Sequence, residues 1–175
     1  MCVTLRSGQY VIPVSRAPEP GSDVDPDYLL RVQDDCAKSD VQHFLSYSER
    51  STGQLRKKVV SLGFSAAVAE TTVSWAIEYG LVDDLRFCAL FISSRVMGRS
   101  RLKMELLKRD VPEAAINKVL SSFSGEESIQ ELIAQVKKRY GHIEDLETAR
   151  RRGSGWLFRR GFSGEIVHRV LKESL

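Results

Sequence analysis

Apolar residues recur along this chain at the three- and four-residue spacing of amphipathic helices, and three such stretches end in the same way. In each stretch an apolar residue is followed four positions later by a residue suited to ending a helix, and then by a large apolar residue. The copies, 47 and then 51 residues apart, are Val59…Gly63-Phe64, Leu106…Asp110-Val111 and Leu157…Gly161-Phe162. Because self-similarity at a nearly fixed distance is typical of helical repeats, the pattern predicts one helical module repeated three times.

The residue that ends each helix sets how the chain turns there. Gly63 and Gly161 can adopt the left-handed backbone conformation that closes a helix, after which Phe64 and Phe162 can fold back onto the last turn. Asp110 takes the place of glycine in the second copy, and aspartate enters the left-handed region less readily. We therefore expect the second helix end to be strained or closed differently.

The periodicity around these copies predicts an all-α fold, arranged as an elongated tandem array of three three-helix modules. The predicted modules cover residues 41–80, 81–123 and 124–175. A compact globule of this length has a radius of gyration of ~16 Å, and we expect a clearly larger value for such an array. Rows of similar helical modules more often form binding surfaces than pockets for chemistry.

Short polar sequences mark the predicted helix starts. Ser51 and Gln54 have the spacing of a capping box, in which the two side chains bond each other's backbone amides. The run Ser124-Gly125-Glu126-Glu127 has the same spacing and is predicted to open the third module.

The second module is predicted to start at a pair of adjacent carboxylates. Asp83 or Asp84 can cap its first helix, which we expect to end at Gly98, and Ser100 can start the next helix. Two adjacent carboxylates at a helix start are better explained as cap and dipole partners than as a catalytic acid pair.

The first 40 residues differ from the rest. Val3–Leu5 and Tyr10–Ile12 flank a Ser-Gly turn and predict a small β-hairpin, which must pack on another element to be stable. Residues 15–26 are rich in proline and glycine and predict a linker. Asp25-Pro26 then suits the N-terminus of a short acidic helix.

Composition excludes several classes of protein. No apolar run approaches the ~20 residues needed to span a bilayer, and the N-terminus is too polar for a secretory signal, so we expect a cytoplasmic protein without membrane association. Cys2, Cys36 and Cys88 are far apart, which favours reduced thiols over a disulfide or zinc framework. Because the chain lacks a nucleophile–base pair, a phosphate loop and metal-ligand spacing, we expect no enzymatic activity, cofactor or metal.

Charge is distributed unevenly. The formal net charge is only +3, but residues 41–175 hold 22 basic and 16 acidic residues. Five arginines fall within the eleven positions from Arg150 to Arg160. This asymmetry indicates a polyanionic partner, either nucleic acid or an acidic protein surface, although an arginine run is as commonly a solvated helix face.

Basic residues recur on or beside the middle helix of each predicted module, and they are the candidate contacts to a protein partner or DNA. Phosphate contacts of this kind would position the protein without reading a base sequence. The candidates are Arg56, Lys57, Lys58, Arg99, Arg101, Lys103, Lys108, Arg109, Arg150, Arg151, Arg152, Arg159 and Arg160. Trp75 and Trp156 are predicted to be core residues, with base stacking as the alternative for Trp156.

The stretch from Trp75 to Arg95 resembles the central motif of the RecX family, regulators of the RecA recombinase. Residues 101–106 are similar to the family's Arg-Ile-x-x-Glu-Leu, and residues 45–64 to its Leu-x-x-Arg-x-x-Ser-x-x-Glu-Leu…Gly-Phe. The resemblance covers roughly residues 41–175, including the last Arg-Gly-Phe. Departures from the family pattern are Ser48 for Arg, Gln54 for Glu, Cys88 for Ala and Arg109-Asp110-Val111 for Lys-Gly-Ile.

The resemblance implies a monomeric, non-enzymatic protein that lodges in the groove of the RecA filament on DNA. Such a protein inhibits the ATPase and strand exchange of RecA and limits filament growth in homologous recombination, DNA repair and the SOS response. The resemblance also implies weaker direct binding to single- or double-stranded DNA.

Two alternatives stay open from the residues. One is a stand-alone helical DNA-binding protein, because residues 51–75 superficially suit a helix-turn-helix. The other is a passive helical scaffold for a different partner. A salt titration of binding to DNA alone distinguishes a direct DNA binder from a regulator that acts through protein contacts.

Overall fold

Helices account for most of the chain. The computed structural model describes residues 2–5, 8–12, 16, 18–19 and 25–175. The elements are β1 Cys2–Leu5, β2 Gly8–Val11, α1 Pro26–Ser46, α2 Thr52–Ser61, α3 Ala66–Glu78, α4 Asp84–Ser93, α5 Arg99–Leu107, α6 Glu113–Ser121, a 3₁₀ turn Glu126–Ser128, α7 Ile129–Tyr140, α8 Leu146–Arg159 and α9 Gly164–Ser174. The predicted all-α fold class is confirmed. The described residues form two compact units, one ending at Phe87 and the other beginning at Cys88.

Strands β1 and β2 pair antiparallel, with Val3 opposite Tyr10, in the segment for which a hairpin is predicted. The Val11 amide donates to Oε1 of Gln33 on α1 at 2.8 Å, and Ile12 is buried. The strand pair is therefore held against a helix, as an isolated hairpin requires. The tip of the predicted turn and much of the predicted linker lie outside the described residues.

Helix α1 is a single 21-residue helix. Pro26 occupies its first turn, and Oδ1 of the N-cap Asp25 accepts from the Asp27 amide at 2.9 Å, as predicted. The expectation of a short acidic helix ending near residue 40 is wrong, because α1 continues through that position to Ser46. Its buried face, which includes the polar Gln33, runs from Leu29 to Val41, and no glycine or proline lies between these residues. The division into three modules stays a prediction.

The core of the first unit joins α1, α2 and α3. Its buried members include Val41, Leu55, Val59, Val73 and Val82. Trp75 lies half-buried at the edge of this core rather than inside it, with the Lys38 ammonium 5.6 Å from its ring centroid.

The three repeated helix ends have one structure. Val59, Leu106 and Leu157 are fully buried, and the apolar residues five positions later, Phe64, Val111 and Phe162, are 4 %, 3 % and 4 % exposed. The residues between have φ angles of +96°, +56° and +83° at Gly63, Asp110 and Gly161. Asp110 therefore carries the backbone strain that we expected of a non-glycine residue, and the alternative of a different closure is wrong.

Helix starts follow the local signals only in part. The capping box of Ser51 and Gln54 is present, and Oδ1 of Asp83 accepts from two amides of α4. The second predicted capping box is wrong: Ser124 bonds the Glu126 amide, and a 3₁₀ turn precedes α7. Likewise α4 ends at Ser93 rather than Gly98, and Gly98 rather than Ser100 is the N-cap of α5.

The second unit has its own core, built from α7, α8 and α9. Leu132, Val136, Leu157 and Val170 are fully buried in it, and Trp156 lies half-buried at its edge. The core therefore holds the inner face of α8 in place, and the opposite face of that helix is left to solvent.

A close backbone contact in the second unit joins the start of α5 to the end of α8. The Gly98 amide donates to the Arg160 carbonyl at 2.8 Å, and a Cβ atom at residue 98 would overlap the backbone of Gly161. Gly98 has an ordinary φ of −76°, so glycine is needed there for space rather than for its conformational freedom.

Candidate interaction surface

The predicted basic residues on α2 are partly engaged within the molecule. Arg56 donates to both carboxylate oxygens of Glu70 on α3, with Nη2 to Oε2 at 3.0 Å. This hydrogen bond lowers the pKa of the Glu70 carboxyl and raises the pKa of Arg56. Lys58 lies over the Phe44 ring at 5.7 Å, and Lys57 is exposed.

Helix α5 carries a charge cluster centred on Glu105, whose side chain is only 14 % exposed. Three cations converge on this carboxylate: Arg101 at 2.8 Å, Arg109 at 2.9 Å and Lys108 at 3.5 Å. The hydrogen bond from Arg109 is the main reason that the pKa of Glu105 is lowered. We call this group the Glu105 cluster. Its cations are largely compensated inside the molecule and are poorer anchors for an external anion than their number suggests.

The other two candidates around α5 differ from each other. Lys103 pairs with Glu113 of α6 at 2.7 Å, and the hydrogen bond lowers the pKa of Glu113. Arg99 is exposed, and no described acid pairs with it. Arg109 also stacks on the Phe91 ring at 4.5 Å, with Arg95 over the same ring at 3.8 Å.

Four of the five arginines in the tract of α8 are directed to solvent. The buried side of α8 is the stripe Ala149, Gly153 and Leu157, spaced four residues apart. Over the described residues no ion pair engages the exposed arginines, which are Arg150, Arg151, Arg152 and Arg159. Helix α8 therefore has the least compensated cationic face of the three candidate helices.

Arg160 has a structural position instead. Its guanidinium stacks on Trp156 at 4.5 Å and donates to the Val96 carbonyl at 3.4 Å and to Oε1 of Gln135 at 3.2 Å. Trp156 thus packs between the core and two arginines, the other being Arg139 at 5.3 Å. Arg160, one of the predicted contact residues, therefore links the end of α8 to the segment before α5.

Sequence reasoning missed one feature, an exposed apolar side chain at the same position of each repeat. The residues directly after the three buried repeat residues are Val60, Leu107 and Phe158, which are 47 %, 43 % and 54 % exposed. The signal is in the chain itself, because each copy places two large apolar residues side by side, and a helix can bury only one of them on one face.

The paired carboxylates of α4 have no catalytic arrangement. Asp83 caps α4, whereas Asp84 accepts from the Thr52 amide at 2.9 Å and from Thr52 Oγ1 at 2.7 Å. Asp84 therefore sits at the N-terminus of α2, where the helix dipole favours a negative charge. Among the described residues no group of three potential metal ligands occurs, and no helix there is long and apolar enough to cross a membrane.

A surface cleft of about 750 Å³ lies beside α4, α6 and α7 in the second unit. Its walls are mainly apolar, and the hydroxyls of Ser93, Ser94 and Ser122 in the wall donate to carbonyls of their own helices. These three hydroxyls are therefore engaged within their own helices.

These observations define the class, a mainly helical protein whose described surface offers cationic and apolar contacts. No family model matches the chain. It is 28% identical over 165 residues to Regulatory protein RecX of Clostridium acetobutylicum, covering 87% of this chain and 77% of that protein. It is 30% identical over 149 residues to Regulatory protein RecX of Caldanaerobacter subterraneus, covering 82% and 73%.

Solved structures agree on the fold. The crystal structure of RecX from Lactobacillus salivarius superposes with a TM-score of 0.73 at 17% identity, over 81% of this chain and 96% of that one. This chain belongs to the RecX family of regulatory proteins.

Proposed function

We propose that this protein binds the RecA–DNA filament and modulates it, mainly by inhibiting the ATPase, strand exchange and filament growth. It acts as a cytoplasmic monomer that contacts the filament and catalyses no reaction of its own. Membership of a family of regulatory proteins supports a regulatory role. The observation that carries the filament contact is the uncompensated arginine face of α8, because a filament containing DNA presents a dense row of phosphates.

Repeated helix ends support a repeated mode of contact. Each copy buries one apolar residue and exposes the next, so three helices present a comparable outer side chain to a partner. We propose that the three predicted modules each contribute contacts to the filament. The basic residues of α2 and α5 that are paired with acids suit contacts to a protein. In such contacts the arrangement of charges fixes how the two surfaces align, and net charge matters less.

The test is a titration of RecA ATPase on single-stranded DNA with increasing amounts of this protein. We expect the hydrolysis rate to fall with concentration, and electron microscopy of the same samples to show added density on the filaments or shorter filaments. Unchanged hydrolysis together with bare filaments of normal length would reject the proposal.

A stand-alone DNA-binding protein is the second candidate function, because the uncompensated arginines of α8 could also bind the phosphates of DNA without RecA. Its predicted helix-turn-helix is weakened by α3, the would-be recognition helix, which carries Glu70 and Glu78 and neither lysine nor arginine. A salt titration separates the two candidates. Tight binding to DNA without RecA, with a slope of ~0.7 per neutralised phosphate on single strands, would favour the second.

A further inference from the structure

The three repeat helices differ in the chemistry of their outer faces. The position after the buried repeat residue holds valine in α2 and leucine in α5 but phenylalanine in α8. Phe158 is 54 % exposed and is followed in the sequence by Arg159 and Arg160. An aromatic ring can stack on the face of a nucleobase, whereas an aliphatic side chain offers no such contact.

The repeat helices also differ in how many of their basic residues form ion pairs with acids. The Glu105 cluster and the Lys103–Glu113 pair compensate most of the cations around α5. On α8 no described acid forms an ion pair with Arg150, Arg151, Arg152 or Arg159. The pKa of Asp145, the N-cap of α8, is lowered mainly by the hydrogen bonds that it accepts from Thr148 and least by the charge of Arg151.

Helix geometry places the arginines beside the ring. Residues 151, 155 and 158 follow the four- and three-residue steps that align side chains on one helix face. Gly155 lies between Arg151 and Phe158 on this face and has no side chain, which leaves room there for a neighbouring side chain. Arg159 folds back toward it, with Nη1 3.3 Å from the point where a Cβ of residue 155 would lie.

We propose that the outer face of α8 binds single-stranded nucleic acid, with Phe158 stacking on a base and Arg151, Arg152 and Arg159 contacting the flanking phosphates. The inference deepens the proposed function and rests on it for the presence of DNA in the partner. Of the three candidate helices, α8 alone combines an exposed aromatic ring with several exposed arginines that form no ion pair among the described residues.

An acidic protein surface is the rival partner for the same arginines. Carboxylates would satisfy the guanidinium groups but would leave a ring that is 54 % exposed facing polar groups. Nucleic acid satisfies both features, since each nucleotide supplies a phosphate and a stacking face. Charge and ring together therefore favour nucleic acid.

The experiment measures binding of the full-length chain to a fluorescent oligo-dT strand by anisotropy. We expect Phe158→Ala to weaken binding by about 5- to 140-fold, the range for loss of one base stack. Phe158→Trp restores binding because it keeps a stacking surface. The matched control is Ile77→Ala, which leaves oligo-dT binding unchanged, because Ile77 is similarly exposed but lies on α3, a helix with neither lysine nor arginine.

Two further measurements separate the ring from the charges. On an abasic strand of equal length, wild type and Phe158→Ala bind alike, because there is no base to stack. Arg151→Gln lowers the salt slope on oligo-dT by ~0.7, whereas Phe158→Ala leaves the slope unchanged. Circular dichroism confirms that each variant keeps its helices.

The inference is overturned if Phe158→Ala binds oligo-dT as tightly as wild type, if it loses equal affinity on the abasic strand, or if wild type does not bind oligo-dT. Retained oligo-dT binding with lost filament binding would assign the face to protein instead. If RecA ATPase is not inhibited but the Phe158 dependence persists, the proposed function fails and the stacking site stands.

Discussion

At the scale of single residues, backbone conformation sets the tolerance of the repeated helix ends. Gly63 has a φ of +96°, and a Cβ there would meet only Val11 Cγ2, at an ordinary 3.5 Å. We therefore expect Gly63→Ala to lower the free energy of unfolding by about 1 kcal/mol through backbone strain alone. Gly63→Asn should lose less, since asparagine enters the left-handed region more readily. Urea denaturation measures both; equal losses would show that packing rather than φ decides.

The lowered pKa of Glu105 predicts a pH dependence. A carboxyl whose pKa is lower in the folded state stabilises the fold above its unfolded pKa of about 4.3, and this contribution is lost as pH falls through the folded value. We expect Glu105→Gln to lower the thermal midpoint at pH 7, and the difference from wild type to shrink below pH ~4. Thermal denaturation across this range checks it, and a difference independent of pH would exclude the charge as its cause.

At the scale of elements, the contact between the start of α5 and the end of α8 leaves no space for an added side-chain atom. Gly98→Ala would place a Cβ into the backbone of Gly161, and we expect a loss of about 1–3 kcal/mol, as for other overpacked sites. Gly164→Ala is the matched control, because nothing lies within 4 Å of its Cβ and α9 starts there. Urea denaturation compares the two; equal stability of both variants would contradict the close contact.

Sequence reasoning succeeded where a helix end depends on its own neighbours. The capping box at Ser51 and the left-handed Gly63 and Gly161 are set by residues within one turn, and all are present. Sequence reasoning failed where the start of a helix depends on residues far away in the sequence. Gly98 is the start of α5 because it lies against Arg160, 62 residues away, and no local pattern reports that.

The candidate site was predictable to a similar degree. The Glu105 cluster was readable in part, since Arg101 and Arg109 flank it at four-residue spacing. The pairing of Lys103 with Glu113 depends on how α5 and α6 pack, so it could not be predicted from the sequence. The sequence shows Leu157 and Phe158 as a pair of adjacent apolar residues. Only the fold shows that Leu157 is buried and that Phe158 is exposed.

At the scale of the whole molecule, regulation depends on which cations remain available to a partner. We expect Arg151→Glu with Arg152→Glu to weaken inhibition of RecA ATPase, because both arginines are exposed on α8 and reversal adds repulsion from phosphate. Lys137→Glu with Lys138→Glu is the matched control, an exposed pair on α7 with the same change in net charge. Inhibition curves for the two double variants decide the point, and coincident curves would remove α8 from the filament contact.

The bond between the Gly98 amide and the Arg160 carbonyl also limits how the chain can be recombined with its relatives. The start of α5 packs directly against the backbone at the end of α8, and we call this contact the crossing. A chimera joined near residue 123 would take the two sides of the crossing from different proteins. Exchanging residues 88–175 as one block keeps the crossing intact. Grafts at residue 123 should depend on whether the donor also has a glycine opposite the crossing.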